Sequence, residues 1–172
     1  MNMAFRGYRG LGQLAGALLL VVGGCAYSFR GGAIPSDVRT VSLAPLTNEA
    51  SVVVPTLAQT LAEALRQKFI SQSPFTLVQT EGDLALYARI TDYKVAPVAI
   101  QGSQQAAQNR LSITLIVKCV SKKHPELNWE QSFMNFADFP ASQPLPAVQE
   151  ALISDICDRL AQDVVNKTLS TW

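Results

Sequence analysis

Leu84-Ala-Leu-Tyr-Ala-Arg-Ile90 and Leu111-Ser-Ile-Thr-Leu-Ile-Val-Lys-Cys119 are the two stretches that decide the fold. Leu84, Leu86, Ala88 and Ile90 recur at every second position in the first, and Leu111, Ile113, Leu115, Val117 and Cys119 do so in the second. A β-strand turns successive side chains to opposite faces, so a period of two marks strands with one buried side. The first run predicts a strand from about Leu84 to Ile100, with Pro97 implying an edge, a bulge or a break near its end. Gln101 to Asn109 is small and polar, suited to an exposed hairpin loop between the two.

Beyond the second run, Lys122-Lys-His-Pro-Glu126 reads as a turn, and Asn128 to Phe139 as the third strand of a meander. Upstream, Val38 to Leu46 is β-branched and alternating, with Pro45 marking its end or an edge. Thr47 to Ala50 follows as a loop. Pro55-Thr56 opens a helix carrying Leu57, Leu61, Leu65 and Phe69 on one face, and Pro74 closes it, since proline disfavours helical geometry in the residue before it. The last segment, about Ala147 to Leu169, spaces Val148, Leu152, Ile156, Leu160 and Val164 as an amphipathic helix. The order β-α-β-β-β-α predicts a single α+β domain, a four-stranded sheet with two helices packed on one face.

The first residues have a different character. Arg6 and Arg9 precede the apolar run Leu14 to Val22, and no acidic residue occurs before Asp37. That is a signal-peptide profile, and the run is shorter than the roughly 20 residues needed to span a bilayer. Val22-Gly-Gly-Cys25 resembles a bacterial lipobox, which predicts cleavage after residue 24 and lipidation of Cys25. Residues 25–36, rich in glycine and serine, read as a lipidated tether, and residues 37–172 as the periplasmic domain. Ala26, rather than aspartate, favours delivery to the outer membrane.

The formal charge of +1 removes the electrostatic argument for nucleic-acid binding, which needs a basic excess. Without Arg6 and Arg9 the 14 basic residues become 12 against 13 acidic, a balance of −1. Three cysteines and one histidine argue against a zinc site, and no metal or cofactor is expected. No Gly-x-Ser-x-Gly elbow or other catalytic constellation appears, so no catalytic residue is assigned. His124, beside Pro125, reads as a solvated turn histidine, and the acidic residues of the last helix as a solvated face. Cys119 and Cys157 both point to the predicted core, where a disulfide and two free buried thiols are both geometrically possible. Arg89, Lys94, Arg110, Lys118, Lys122 and Lys123 all fall in the strand region. Arg89 and Lys118 alternate with core residues and so project from the opposite sheet face, as candidates for an anionic ligand, with Tyr87 and Tyr93 as apolar flanks.

Cys25-Ala-Tyr-Ser-Phe29, Gly32-Ala-Ile-Pro35, Glu63 to Ile70, Gly82-Asp-Leu-Ala-Leu86, Val95-Ala-Pro-Val98, Asn109-Arg-Leu-Ser-Ile113, Trp129-Glu-Gln-Ser-Phe133 and Ala137-Asp-Phe139 form a recognisable series. Together they resemble the LptE family of lipopolysaccharide-assembly lipoproteins, most closely its Bacteroidota-type branch. The resemblance implies a non-enzymatic outer-membrane lipoprotein facing the periplasm. It further implies a plug and assembly partner in the lumen of an LptD-like β-barrel, assisting insertion of lipopolysaccharide into the outer leaflet. The family's small sheet with two helices on one face agrees with the order derived from periodicity. A periplasm-facing ligand-binding or scaffolding lipoprotein unrelated to lipopolysaccharide is the alternative.

Overall fold

The structure, a computed structural model, describes residues 35–98 and 107–170. The expected signal peptide, Cys25 and nearly all of the tether lie outside the described residues, as does most of the loop after the first long strand. Among the described residues are six strands and two α-helices: β1 (Thr40–Leu43), β2 (Thr47–Asn48), α1 (Leu57–Gln72), β3 (Thr76–Val78), β4 (Leu84–Val98), β5 (Gln108–Ser121), β6 (Trp129–Pro140) and α2 (Leu145–Ser170). The domain is α+β, as the periodicity predicts, but the sheet holds six strands rather than four.

The two additional strands have separate causes. The order across the sheet is β3-β1-β4-β5-β6, with β2 also on β4. Both β1 and β2 run parallel to β4, at Val41↔Leu84 and Thr47↔Arg89 respectively. The first strand, expected from Val38 to Leu46, ends at Leu43 just ahead of Pro45, which has no N–H to donate, and Thr47-Asn48, expected to lie in a loop, instead forms β2. Pairing is carried up to the gap by Ala44 N–H to the Leu86 carbonyl (2.9 Å) and picked up beyond it by Glu49 N–H to that of Ile90 (2.8 Å). β3 is a short edge strand parallel to β1, reached through α1. Its Thr-Leu-Val stretch lies between Pro74 and Gly82, too brief to show a period.

Leu57, Leu61, Leu65 and Phe69 of α1 are buried, each one helical turn from the next. Ser73 ends the helix by donating both its hydroxyl (2.6 Å) and its backbone N–H (3.3 Å) to the Phe69 carbonyl. Along α2 the buried stripe is Ile153, Ile156, Cys157, Leu160, Ala161, Val164 and Val165. These stripes cover the sheet face carrying Leu86, Ile90, Ile113, Leu115, Val117 and Phe133, all buried. A Lys68–Asp158 ion pair of 2.9 Å ties the helices together at the surface.

The meander is antiparallel, and β5 pairs with β6 in continuous register from Gln108↔Pro140 to Cys119↔Trp129. β4 is less regular, because its register with β5 shifts between Ile90 and Asp92. A bulge of one residue reverses which side chains face inward. Tyr93 is therefore 5% exposed and part of the core, not a flank of the open face as simple alternation predicts. Lys94 is turned outward by the same slip.

The start of β1 is locked by Asp83. One carboxylate oxygen accepts from the backbone N–H groups of Arg39 and Thr40, both at 3.0 Å, and from the Thr40 hydroxyl at 2.7 Å. The other lies 3.0 Å from Lys123 Nζ. The Arg39 N–H, then Thr40 and Lys123, hold the Asp83 carboxyl well below the usual carboxylate range.

Candidate functional site

The sheet face away from the helices is open, and it carries both cations singled out by alternation. Tyr87 pairs across the strands with Lys118, and Lys118 with Glu130. Arg89 sits opposite Ile116, which makes Lys118 its diagonal neighbour on the same face. These side chains line a cleft of about 330 Å³ that reaches Pro45 and Thr47, at the interruption between β1 and β2. The two residues chosen from sequence thus meet in one hollow, whose wall is completed by the strand break.

The charges in the cleft are only partly satisfied. Arg89 reaches Glu130 at 3.4 Å, a long ion pair between two half-exposed side chains, and such surface pairs contribute at most about 1 kcal/mol. Lys118 has no ion-pair or hydrogen-bond partner among the described residues. An anion entering here meets one free ammonium and one guanidinium that can exchange a weak partner for a stronger one. Tyr87, 52% exposed, lines the cleft beside them, and Met134 and Phe136, 59% and 38% exposed, lie farther along β6, opposite Thr114 and Ser112. Exposed large apolar groups beside cations suit an amphiphilic ligand or a partner surface better than a small soluble anion.

The remaining basic residues separate into distinct settings. Arg110 makes a two-pronged pair with Asp138, at 2.7 and 2.8 Å, while its guanidinium lies 3.7 Å from the centre of the Phe136 ring. It is committed to the structure of the open face. Lys94 is exposed and has no ion-pair partner among the described residues. Lys122 and Lys123 lie beyond β5 and pair with Glu81 and Asp83, so they do not join the cleft. Sequence reasoning does not single out Glu130, Met134 and Phe136, although their alternation with Phe133 and Ala137 marks the outward positions of β6.

His124 is more connected than its place in a charged turn suggests. Its Nδ1 is 3.0 Å from Glu126 and its Nε2 3.1 Å from Asp37, so the β5–β6 turn clasps the segment leading into β1. Hydrogen bonds to Glu126 and then Asp37 raise the His124 pKa above 6.5. The imidazolium is the form those carboxylates favour, so its stabilisation is complete below about pH 6.5 and lost as pH rises through the raised value. Urea unfolding at about pH 5.5 and about pH 8.5 is the check. The stability difference between the native chain and a His124→Gln variant is expected to be larger at the lower pH, and an equal difference at both would remove the clasp.

Cys119 and Cys157 are both buried and both free in the structure. Burial pushes each thiol up to about 12, which keeps it protonated and unreactive. Asp155 pairs with Arg159, Asp163 accepts from Asn135, and Asp158 from Lys68, so the acids of α2 spread over its surface. Among the described residues no cluster of His, Cys, Asp and Glu is arranged to hold a metal ion. None of the described helices is long and apolar enough to cross a membrane.

Solved structures share this architecture at low identity. A minor lipoprotein from Acinetobacter baumannii is 14% identical, with a TM-score of 0.52 over 77% of this chain and 93% of its own. A hypothetical protein from Chlamydia trachomatis is 9% identical, with a TM-score of 0.55 over 77% of this chain and 97% of its own. A protein from Xanthomonas campestris is 15% identical, with a TM-score of 0.53 over 81% of this chain and 89% of its own. At such identities the likeness is one of fold. No curated protein sequence matches the chain. The model of the lipopolysaccharide-assembly family LptE matches residues 38–168, from just ahead of β1 to the last turn of α2. With that match spanning nearly the entire described domain, the chain belongs to the LptE family of lipopolysaccharide-assembly lipoproteins.

Proposed function

We propose that this protein is the lipid-anchored, non-enzymatic subunit of a lipopolysaccharide-assembly machine at the outer membrane. In this reading residues 1–24 are removed, Cys25 carries the lipid, and residues 25–36 tether the domain on the periplasmic side. The domain works with an LptD-like β-barrel, seated in its lumen as plug and assembly partner. Its open face receives anionic groups of lipopolysaccharide at Arg89 and Lys118.

The observation that carries the reading is the convergence of these two cations in one cleft, flanked by Tyr87, in a chain of this family. Charge-assisted hydrogen bonds contribute about 1.5–3 kcal/mol each, and 1.4 kcal/mol is tenfold in affinity. Reversing both charges, in an Arg89→Glu, Lys118→Glu variant, is therefore expected to weaken lipopolysaccharide binding by at least about tenfold. Both side chains are exposed, so the thermal midpoint should change little. Unchanged binding by the folded double variant would remove the cleft from the proposal. The partner is tested separately by extracting tagged, lipidated protein in mild detergent. A large β-barrel should co-purify, and depletion of the protein should reduce surface lipopolysaccharide. A normal cell surface after depletion favours a lipoprotein with another ligand.

A further inference from the structure

On the helix side of the same strand interruption lies a second hollow, distinct in chemistry from the cleft. It measures about 210 Å³ and is walled by Leu43, Leu46, Leu65, Leu86, Val117 and Val164. Four of these walls, Leu65, Leu86, Val117 and Val164, are core side chains no more than 2% exposed. The space is larger than the roughly 150 Å³ apolar cavity that takes up benzene, and these walls offer no polar side chain to hold water. Arg66 is the single charged residue lining it. The guanidinium uses one nitrogen on Glu63, at 2.7 Å, in an exposed pair one helical turn apart, and its other N–H donors have no protein partner among the described residues. A further hollow of about 320 Å³ continues past Arg66 along Leu43, Leu77 and Val78.

We infer that this crevice binds the end of one single-chain fatty acyl anion, with the chain against the core leucines and the head on Arg66. Apolar walls exclude a polar occupant, and the lone cation at the rim supplies charge complementarity for a carboxylate or phosphate. A space of about 210 Å³, not much larger than the cavity that takes up one benzene, has room for the end of one chain. This site lies across the sheet from Arg89 and Lys118 and does not depend on the lipopolysaccharide reading.

Full-length protein in digitonin, a detergent without an acyl chain, is photolabelled with a diazirine-bearing fatty acid, and labelled peptides are identified by mass spectrometry. Label is expected on residues 43–46 and 62–66, displaced by dodecanoate or dodecyl phosphate. Ala62→Phe fills the crevice and is expected to reduce dodecanoate competition by at least about tenfold, with the circular dichroism unchanged. Arg66→Gln, on an exposed helix position, should weaken dodecanoate about tenfold while leaving dodecanol unaffected. Arg89→Glu, Lys118→Glu should leave labelling intact. Label scattered over the surface, competition by two-chain phosphatidylglycerol but not by dodecanoate, or equal dodecanoate binding by folded Ala62→Phe and Arg66→Gln would each overturn the site.

Discussion

Replacing Phe69 with alanine is expected to lower the unfolding free energy by about 3–5 kcal/mol, the usual range for deleting a fully buried aromatic side chain. Phe69 is fully buried in the last turn of α1, where Ser73 donates to its carbonyl and ends the helix. Alanine leaves both the lost transfer energy and a cavity that rigid neighbours fill only in part. Domains of this size are stable by only about 5–15 kcal/mol, so the loss is a large fraction of the total. Urea denaturation of the two proteins measures it, with Ile70→Ala as the internal control. Ile70 is 65% exposed on the adjoining position, and its truncation should stay within about 0.5 kcal/mol. Equal effects at the two positions would contradict the burial of this helix face.

Gly82→Ala is expected to be nearly as damaging, at about 3 kcal/mol, although it adds only one carbon. A Cβ at residue 82 would lie 2.6 Å from the Ser42 nitrogen and 2.8 Å from both the Leu84 oxygen and the Val41 carbonyl carbon. All three are backbone atoms of paired strands, so no side chain can swing aside. Relief requires β1 to move away from β4 where Val41 pairs with Leu84. That movement also pulls Arg39 and Thr40 from Asp83, whose carboxylate is held by their N–H groups. A lowered thermal midpoint with faster amide exchange at residues 41–43 is the expected signature. An unchanged midpoint would show that β1 adapts freely, which the lock at Asp83 opposes.

Much of the architecture is legible in the sequence because it rests on local periodicity. The alternation of Leu111 through Cys119 defines β5, and the four-residue spacing from Leu57 to Phe69 defines α1, before any partner is known. What is not legible depends on pairing. Thr76 to Val78 is a strand only because β1 presents a free edge, and Thr47-Asn48 only because β4 extends past Pro45. Alternation misplaces Tyr93 for a related reason: the slip after Ile90 is a property of the β4–β5 ladder, invisible in β4 alone. In the site, side-chain parity finds Arg89 and Lys118, since the first precedes that slip and the second lies on the regular strand. Their shared hollow escapes it, because its wall is a break in a different strand. His124 reads as solvated from its neighbours in sequence, and its link to Asp37 spans 87 residues that no local pattern reports.

The parallel placement of β1 also carries a temporal consequence. Its lock joins Thr40 to Asp83 across 43 residues, whereas β4 pairs with β5 and β5 with β6, each with the next strand in the chain. Closing a long loop costs entropy before its contacts repay it, so the hairpins form early and the β1–β3 border is added late. In pulse-labelling during refolding, amides of β5 are expected to gain protection before those of β1, and the reverse order would refute this sequence of events. The face bearing Arg89 and Lys118 would then be built before the chain's amino-terminal strand has settled, leaving the entry to the domain as the last part of the molecule to commit.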